Sequence, residues 1–210
     1  GWLGDDDNTY QAGAYYKTNA DLTLTAQWEV DTVDYTVKHL QQNVDGNGYI
    51  EVEADRQTLN GKTGELTNAV AKTYEGYCVN PEAEGTVSSG TLVKIEDAAD
   101  IVVLKLYYDA DENDDAVPDK YQKVVTFEVV HGQWNDGTVE NKTVYVTLVK
   151  DGHWDASGSG SLTAPGVGSK PDSGYKAGSW DKEIPTTVSG TDAETYTYTY
   201  ARRSGGGGSV

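Results

Sequence analysis

The residues of this chain best suited to binding an ion form an acidic run at positions 109–119. Alternate oxygen-bearing residues in such a run allow one turn of backbone to wrap its ligands around a hard cation. If Asp111 is the first position of a calcium loop, the third, fifth, seventh and ninth positions also carry suitable donors. The predicted ligands of a structural calcium ion are Asp111, Asn113, Asp115, the carbonyl of Val117, and Asp119.

Two residues depart from the usual calcium-loop pattern. The sixth position is Ala116, where glycine normally eases the sharp turn, and the twelfth is Gln122, where a bidentate glutamate normally adds charge. We therefore expect weak binding, with a Kd of about 10⁻⁴ to 10⁻³ M, as in extracellular modules. The alternative interpretation is a solvated acidic linker that binds no ion.

Large aromatic residues form the second set of candidate binding residues. A Gly-x-Trp-Asx pattern, in which the glycine and the Asx residue favour a turn, recurs around Trp134, Trp154 and Trp180. Three further rings alternate with threonines and so share one face of a strand: Tyr196, Tyr198 and Tyr200. We expect these rings mainly to pack within the protein. The alternative is a surface that stacks on sugars or on a protein partner.

The sequence shows no recognisable catalytic pattern. His39, His131 and His153 are scattered, without HExxH spacing or a neighbouring cysteine pair, which argues against zinc. The chain also lacks a Gly-x-Ser-x-Gly elbow and a glycine-rich phosphate loop. We therefore expect a protein that is not an enzyme and has no cofactor, apart from the structural calcium considered above.

The sequence predicts that the elements that position these residues are mainly β-strands. Apolar residues recur with a period of two from Leu22 to Val30, which is typical of a strand with one buried face. The turn Asp45-Gly46-Asn47-Gly48 predicts a hairpin, and Leu66, Ala69, Val70, Thr73 and Tyr74 have the spacing of one short helix. Further strands are predicted at 35–40, 49–54, 101–108, 124–130, 143–149 and 196–200.

Composition favours several small cores over one thick core. Only 37% of the residues are hydrophobic and the mean hydropathy is −0.60. The predicted fold class is mostly β with a minor helix, in β-grasp-like modules, as tandem small domains arranged end to end. The predicted segments are the last strands of a truncated module (1–30), a β-grasp-like module (34–109), an acidic junction (110–120), a third β-rich module (121–201) and a Gly/Ser-rich linker (202–210).

Charge and cysteine content limit the classes of partner. The formal net charge of −18 repels phosphate backbones, so we expect no nucleic-acid binding. No apolar stretch approaches the roughly 18 residues needed to span a bilayer, so we expect no membrane insertion in this segment. The single cysteine, Cys78, cannot form an internal disulfide and is predicted to be a small buried hydrophobe. We expect a monomeric segment of a longer protein.

Three runs of residues resemble known families. Gly1-Trp2 followed by Asp21-Leu22-Thr23-Leu24-Thr25-Ala26-Gln27-Trp28 resembles the end of the Listeria–Bacteroides repeat, also called the internalin B-repeat. The second module is similar to mucin-binding-protein repeats of Gram-positive surface proteins, through Tyr74-Glu75-Gly76-Tyr77 and Leu104-Lys105-Leu106-Tyr107-Tyr108-Asp109. The acidic run resembles the DxNxDGxPD loops found between surface modules.

These resemblances imply an extracellular protein associated with the cell wall or cell surface of a Gram-positive bacterium. The first functional interpretation is a non-catalytic stalk or adhesin segment. The second is a module that binds host mucin, a glycan or a host surface protein through its Trp and Tyr faces. The third is an accessory part of a wall-associated hydrolase, which would need a pocket with converging carboxylates.

Overall fold

The computed structural model describes residues 1–18 and 20–205. Its regular structure is almost entirely β-strand, which confirms the predicted mostly-β class. The strands are β1 (Trp2–Gly4), β2 (Thr9–Tyr10), β3 (Leu24–Ala26), β4 (Thr32–Gln42), β5 (Tyr49–Glu51), β6 (Gln57–Lys62), β7 (Leu66–Asn68), β8 (Tyr77–Val79), β9 (Ser89–Thr91), β10 (Val103–Ala110), β11 (Gln122–Val130), β12 (Gly132–Gln133), β13 (Lys142–Thr147), β14 (Val149–Lys150), β15 (His153–Trp154), β16 (Ser159–Ser161), β17 (Lys170–Pro171), β18 (Tyr175–Trp180), β19 (Thr187–Ser189) and β20 (Glu194–Arg202). Single 3₁₀ turns occur at Glu53–Asp55, Ala98–Asp100 and Asp119–Tyr121.

The predicted helix at residues 66–74 is wrong. Residues Leu66–Asn68 form strand β7, which pairs antiparallel with β9 and places Leu66 opposite Thr91. The apolar residues of the expected helical face do not share a buried surface, because Leu66 is 61% exposed and Val70 is 76% exposed. Without a helix to cross a sheet, the β-grasp prediction fails as well.

The described chain divides into two compact units. The first unit comprises Gly1–Leu40, Tyr49–Ala71 and Pro81–Tyr107, and the second comprises Gln41–Gly48, Lys72–Asn80 and the residues from Tyr108 onward. The segment predicted as one module at 34–109 therefore contributes residues to both units. The end-to-end arrangement of modules stays a prediction. Part of the predicted linker, residues 206–210, lies outside the described residues.

The first unit is built from short antiparallel pairs. Strand β1 lies between β2 and β3, and residues 32–37 of β4 pair with β6. Strand β3 is shorter than the predicted strand from Leu22 to Val30, and Trp28 is 86% exposed. A small buried cluster holds this unit together through alternate residues of β4, the residue that follows β9, and one residue of β10: Val33, Tyr35, Val37, Leu92 and Leu104.

The second unit contains the larger core. Four strands form a sheet in the order β13-β11-β20-β18, in which β11 and β20 are parallel and the other pairs are antiparallel. A second sheet has the order β15-β14-β16-β19. Period-two alternation brings apolar side chains of β11 and β20 to one face, where Phe127 stacks on Tyr196. The buried core consists of Val125, Phe127, Trp134, Val146, Leu162, Val188 and Tyr196.

Candidate functional site

The acidic run forms an ordered loop in the second unit, after strand β10. The Asp111 side chain is 2% exposed, and its carboxylate accepts hydrogen bonds from the backbone N–H groups of Asp115 (3.1 Å) and Ala116 (2.9 Å). Ala116 adopts φ 66°, the left-handed conformation that glycine usually supplies at this position of a calcium loop. The backbone therefore makes the required turn despite the missing glycine.

Two amide side chains converge on the carboxylate of Asp115. Its Oδ2 accepts hydrogen bonds from Asn113 Nδ2 (2.8 Å) and from Gln122 Nε2 (2.7 Å). Asn113 Oδ1 and Gln122 Oε1 are buried and have no hydrogen-bond partner among the described residues. Unpartnered buried acceptors are costly, and an ion beside them would remove that cost. Gln122, at the position that departs from the usual pattern, thus belongs to the loop's polar cluster.

The remaining predicted ligands make contacts within the loop. Asp119 Oδ2 accepts a hydrogen bond from Glu112 N (3.1 Å), and burial raises the pKa of the Asp119 carboxyl. Val117 donates its N–H to Asp115 Oδ1 at 3.0 Å. Within residues 1–18 and 20–205, no group of three or more His, Cys, Asp or Glu side chains is placed to hold a metal ion. Any ion here would therefore depend on amide and carbonyl oxygens in addition to carboxylates.

A second polar cluster, which the sequence analysis missed, lies at the end of strand β10. It consists of Asn80, Asp109 and Lys120, and we call it the Asp109 cluster. Asp109 Oδ2 accepts a hydrogen bond from Asn80 Nδ2 (2.6 Å) and forms an ion pair with Lys120 Nζ (2.8 Å). Asp109 and Asn80 are both 0% exposed. No motif signals this cluster, because Asn80 and Asp109 are separated by 29 positions in the sequence.

Most of the candidate ligand-stacking rings are buried. Trp134 is 0% exposed and donates its Nε1–H to the Glu140 carbonyl at 2.8 Å. Tyr196, Tyr198 and Tyr200 are 2%, 6% and 1% exposed. These rings pack within the second unit, so in this structure they present no face to a ligand.

Trp154 and Trp180 are only half-buried. Trp154 stacks on Tyr121 with ring centroids 6.1 Å apart, and Trp180 packs edge-on against Phe127. Trp180 also lines an open groove of about 730 Å³, together with Leu162, Thr163, Ala164, Glu183, Ile184 and other residues. Of the predicted rings, Trp180 therefore has the environment best suited to contacting a ligand.

The described part of the chain contains no helix with the length and apolar character that crossing a bilayer would need.

Comparison with known proteins gives only remote similarities. No protein-family model matches the chain, and no curated protein matches it. The type 2 repeat of the mucus binding protein MUB from Lactobacillus reuteri has 18% sequence identity and a TM-score of 0.21, covering 79% of this chain and 99% of the repeat. The shaft pilin SpaA from Lactobacillus rhamnosus GG has 11% identity and a TM-score of 0.24, covering 83% of this chain and 100% of the pilin. TM-scores of this size do not establish a shared fold.

Proposed function

We propose that this chain is a non-catalytic stalk or adhesin segment of an extracellular protein at a bacterial cell surface. The observation that carries the proposal is the burial of the large rings of the second unit. Trp134, Tyr196, Tyr198 and Tyr200 fill the interior, and the hydroxyl groups of Tyr198 and Tyr200 hydrogen-bond to backbone groups. These rings hold thin sheets together, which is the task of a load-carrying spacer. The sequence resemblances to surface repeats support the same role.

A binding screen of the whole chain tests this proposal. The chain is immobilised and exposed to mucin, to a glycan array and to purified host surface proteins. A spacer is expected to give no saturable binding up to about 1 mM ligand, which corresponds to a binding free energy of about −4 kcal/mol. Saturable binding below that concentration would contradict the spacer proposal and identify the chain as a binding module.

The groove beside Trp180 favours a second candidate function, the binding of a mucin glycan. An aromatic ring flanked by polar rim residues is the usual form of a small-molecule site. If the screen finds a glycan, Thr163→Arg should block binding, because Thr163 is exposed and lines the groove. The matched control is Thr25→Arg, at an exposed position of β3 in the first unit. Hydrolysis has less support, because Glu183 is the only acid among the residues that line this groove.

We also propose that the acidic loop binds calcium weakly. The supporting observation is the pair of unpartnered buried oxygens, Asn113 Oδ1 and Gln122 Oε1, beside the Asp115 carboxylate. The residues that would hold the ion are the carboxylates of the loop, the two amide oxygens and the Val117 carbonyl. The two amide NH₂ groups now donate hydrogen bonds to the Asp115 carboxylate, and an ion would neutralise that negative charge instead.

Thermal unfolding measured with and without calcium tests whether the acidic loop binds the ion. With a Kd of about 10⁻⁴ to 10⁻³ M, about 10 mM Ca²⁺ should add about 1.4 to 2.7 kcal/mol to the free energy of unfolding. Gln122→Glu should tighten binding by adding a charged ligand, and Asn113→Ala should weaken it. Asp151→Asn, at an exposed turn elsewhere, is the control. An unchanged melting temperature in wild type and in Gln122→Glu would contradict the calcium proposal and leave the stalk proposal standing.

A further inference from the structure

The Asp109 cluster has a property that an ordinary ion pair lacks. A single carboxylate oxygen, Asp109 Oδ2, contacts both the amine nitrogen of Lys120 and the amide nitrogen of Asn80. The Asp109 and Asn80 side chains are fully buried, and the Lys120 side chain is 35% exposed. The cluster thus holds a nucleophilic nitrogen, an electrophilic amide carbon and a proton-transfer group together, away from most of the water.

The surrounding backbone fixes each member of the cluster. Asp109 lies on β10 opposite Cys78 of β8, and Asn80 follows the last residue of β8. Lys120 lies in the 3₁₀ turn Asp119–Tyr121, which is closed by the hydrogen bond from Tyr121 N to Pro118 O at 2.9 Å. Groups that are held in contact by rigid elements react as if at very high concentration. Positioning of this kind is the main requirement for a slow reaction between two side chains.

We propose that the Asp109 cluster is an intramolecular cross-linking site that joins Lys120 to Asn80 through an amide bond. The Asp109 carboxylate accepts a proton from the Lys120 ammonium, and the neutral Nζ attacks Asn80 Cγ. The new Nζ–Cγ bond forms, the Cγ–Nδ2 bond breaks, and Asp109 returns the proton to the departing Nδ2. Nitrogen leaves as ammonia, which takes the second Nζ proton to become ammonium in solution, and Asp109 is again a carboxylate. The step consumes no oxidant or other reactant.

Burial favours this chemistry in two ways. A charged pair loses solvation in a buried site, so proton transfer from ammonium to carboxylate costs less there than in water. Exclusion of water also protects the amide carbon from hydrolysis during the slow step. Asp109 is the catalytic residue of this reaction, because it contacts both reacting groups. The product would close the chain between residues 80 and 120 into a covalent loop.

Mass spectrometry of the full chain tests the proposal. After prolonged incubation at neutral pH, the intact wild-type chain should be lighter than its sequence mass by one ammonia. A succinimide at one of the Asn-Gly pairs would give the same mass, so the site must be identified in a tryptic digest. The expected product is peptide 73–94 joined to peptide 106–123, with no cleavage after Lys120, because trypsin does not cut at an acylated lysine.

Two variants test the nucleophile and the proton-transfer group. Lys120→Arg keeps the positive charge but removes the nucleophile, and Asp109→Asn removes the proton-transfer group, so both should retain the full mass. Lys142→Arg is the control, because Lys142 pairs with the exposed Asp136 and should leave the cross-link intact. A wild-type chain that keeps its full mass overturns the proposal and leaves an ordinary buried ion pair. Loss of one water with Lys120 joined to Asp109 also overturns it. The wild-type result decides the matter even if a variant fails to fold.

Discussion

The Tyr200 hydroxyl makes three hydrogen bonds to backbone groups of the second unit, and its removal gives a sharp test of the role of the buried rings. This hydroxyl donates to the Gln133 carbonyl at 2.8 Å and accepts from the N–H groups of Gly168 (2.9 Å) and Lys170 (3.1 Å). The ring approaches the backbone closely, since a Cβ at Gly132 would lie 2.5 Å from it. Tyr200→Phe therefore keeps the ring and removes only the oxygen.

The magnitude follows from the groups left behind. Each such hydrogen bond contributes about 0.5 to 1.5 kcal/mol net, and a buried polar group without a partner costs about 1 to 3 kcal/mol. With three backbone partners, Tyr200→Phe should lower the free energy of unfolding by about 3 kcal/mol. Tyr198→Phe should cost about 1 kcal/mol, because the Tyr198 hydroxyl accepts a backbone hydrogen bond from Gly178 N at 2.9 Å.

Urea unfolding followed by tryptophan fluorescence measures these losses. The signal should report mainly on the second unit, because its Trp134 is buried whereas Trp2 and Trp28 are 42% and 86% exposed. Tyr145→Phe is the matched control, since Tyr145 is 40% exposed and should change stability by less than about 0.5 kcal/mol. Amide exchange at Gly168 and Lys170 should accelerate only in Tyr200→Phe. Equal losses in Tyr200→Phe and Tyr145→Phe would refute the reasoning.

Two further predictions concern titratable groups. Burial, and then the negative charges of Asp111 and Asp109, raise the pKa of the Cys78 thiol to about 12. At about pH 8, iodoacetamide should therefore label this half-buried thiol at least about 100-fold more slowly in the native chain than in the urea-unfolded chain. Similar labelling rates would contradict the raised pKa. Hydrogen bonds from Arg56 and Lys38 lower the pKa of Glu51 from 4.5 to about 2. Because the folded pKa is the lower one, the contribution of Glu51 to stability is present above pH 4.5 and is lost as the pH falls toward 2. Glu51→Gln should flatten the dependence of the unfolding free energy on pH in that range, which urea titrations at several pH values would measure. If the unfolding free energy of the variant changed with pH as steeply as that of wild type, the contacts of Glu51 with Arg56 and Lys38 would not be responsible.

Strand prediction succeeded where alternation was long and one face was buried. The strands expected at 124–130 and 196–200 are the central β11 and β20, and the strand expected at 35–40 lies within β4. Their alternating pattern specifies which side chains face the core, whatever strand lies beside them. Prediction failed where the structure forms only a short strand. Residues 66–74 fit a helical spacing, yet pairing of β7 with β9 decided their conformation.

The candidate sites were only partly predictable, because local spacing is visible in the sequence and long-range contacts are not. Local spacing identified the acidic loop, because the ligands it predicts are alternate residues within one turn of backbone. It could not show that Gln122 would reach Asp115, or that the tyrosine row of β20 would face the interior.

The sequence by itself determined the mostly-β class, the acidic surface and the position of the acidic loop, because each depends on composition or on neighbours a few residues apart. Only the tertiary structure decided which rings are buried and which side chains meet at Asp109. Asn80 and Lys120 come from different elements of the chain, and Asn80 reaches Asp109 only once β8 pairs with β10. Long-range strand pairing has no local signal in the sequence, since it depends on the packing of the whole unit.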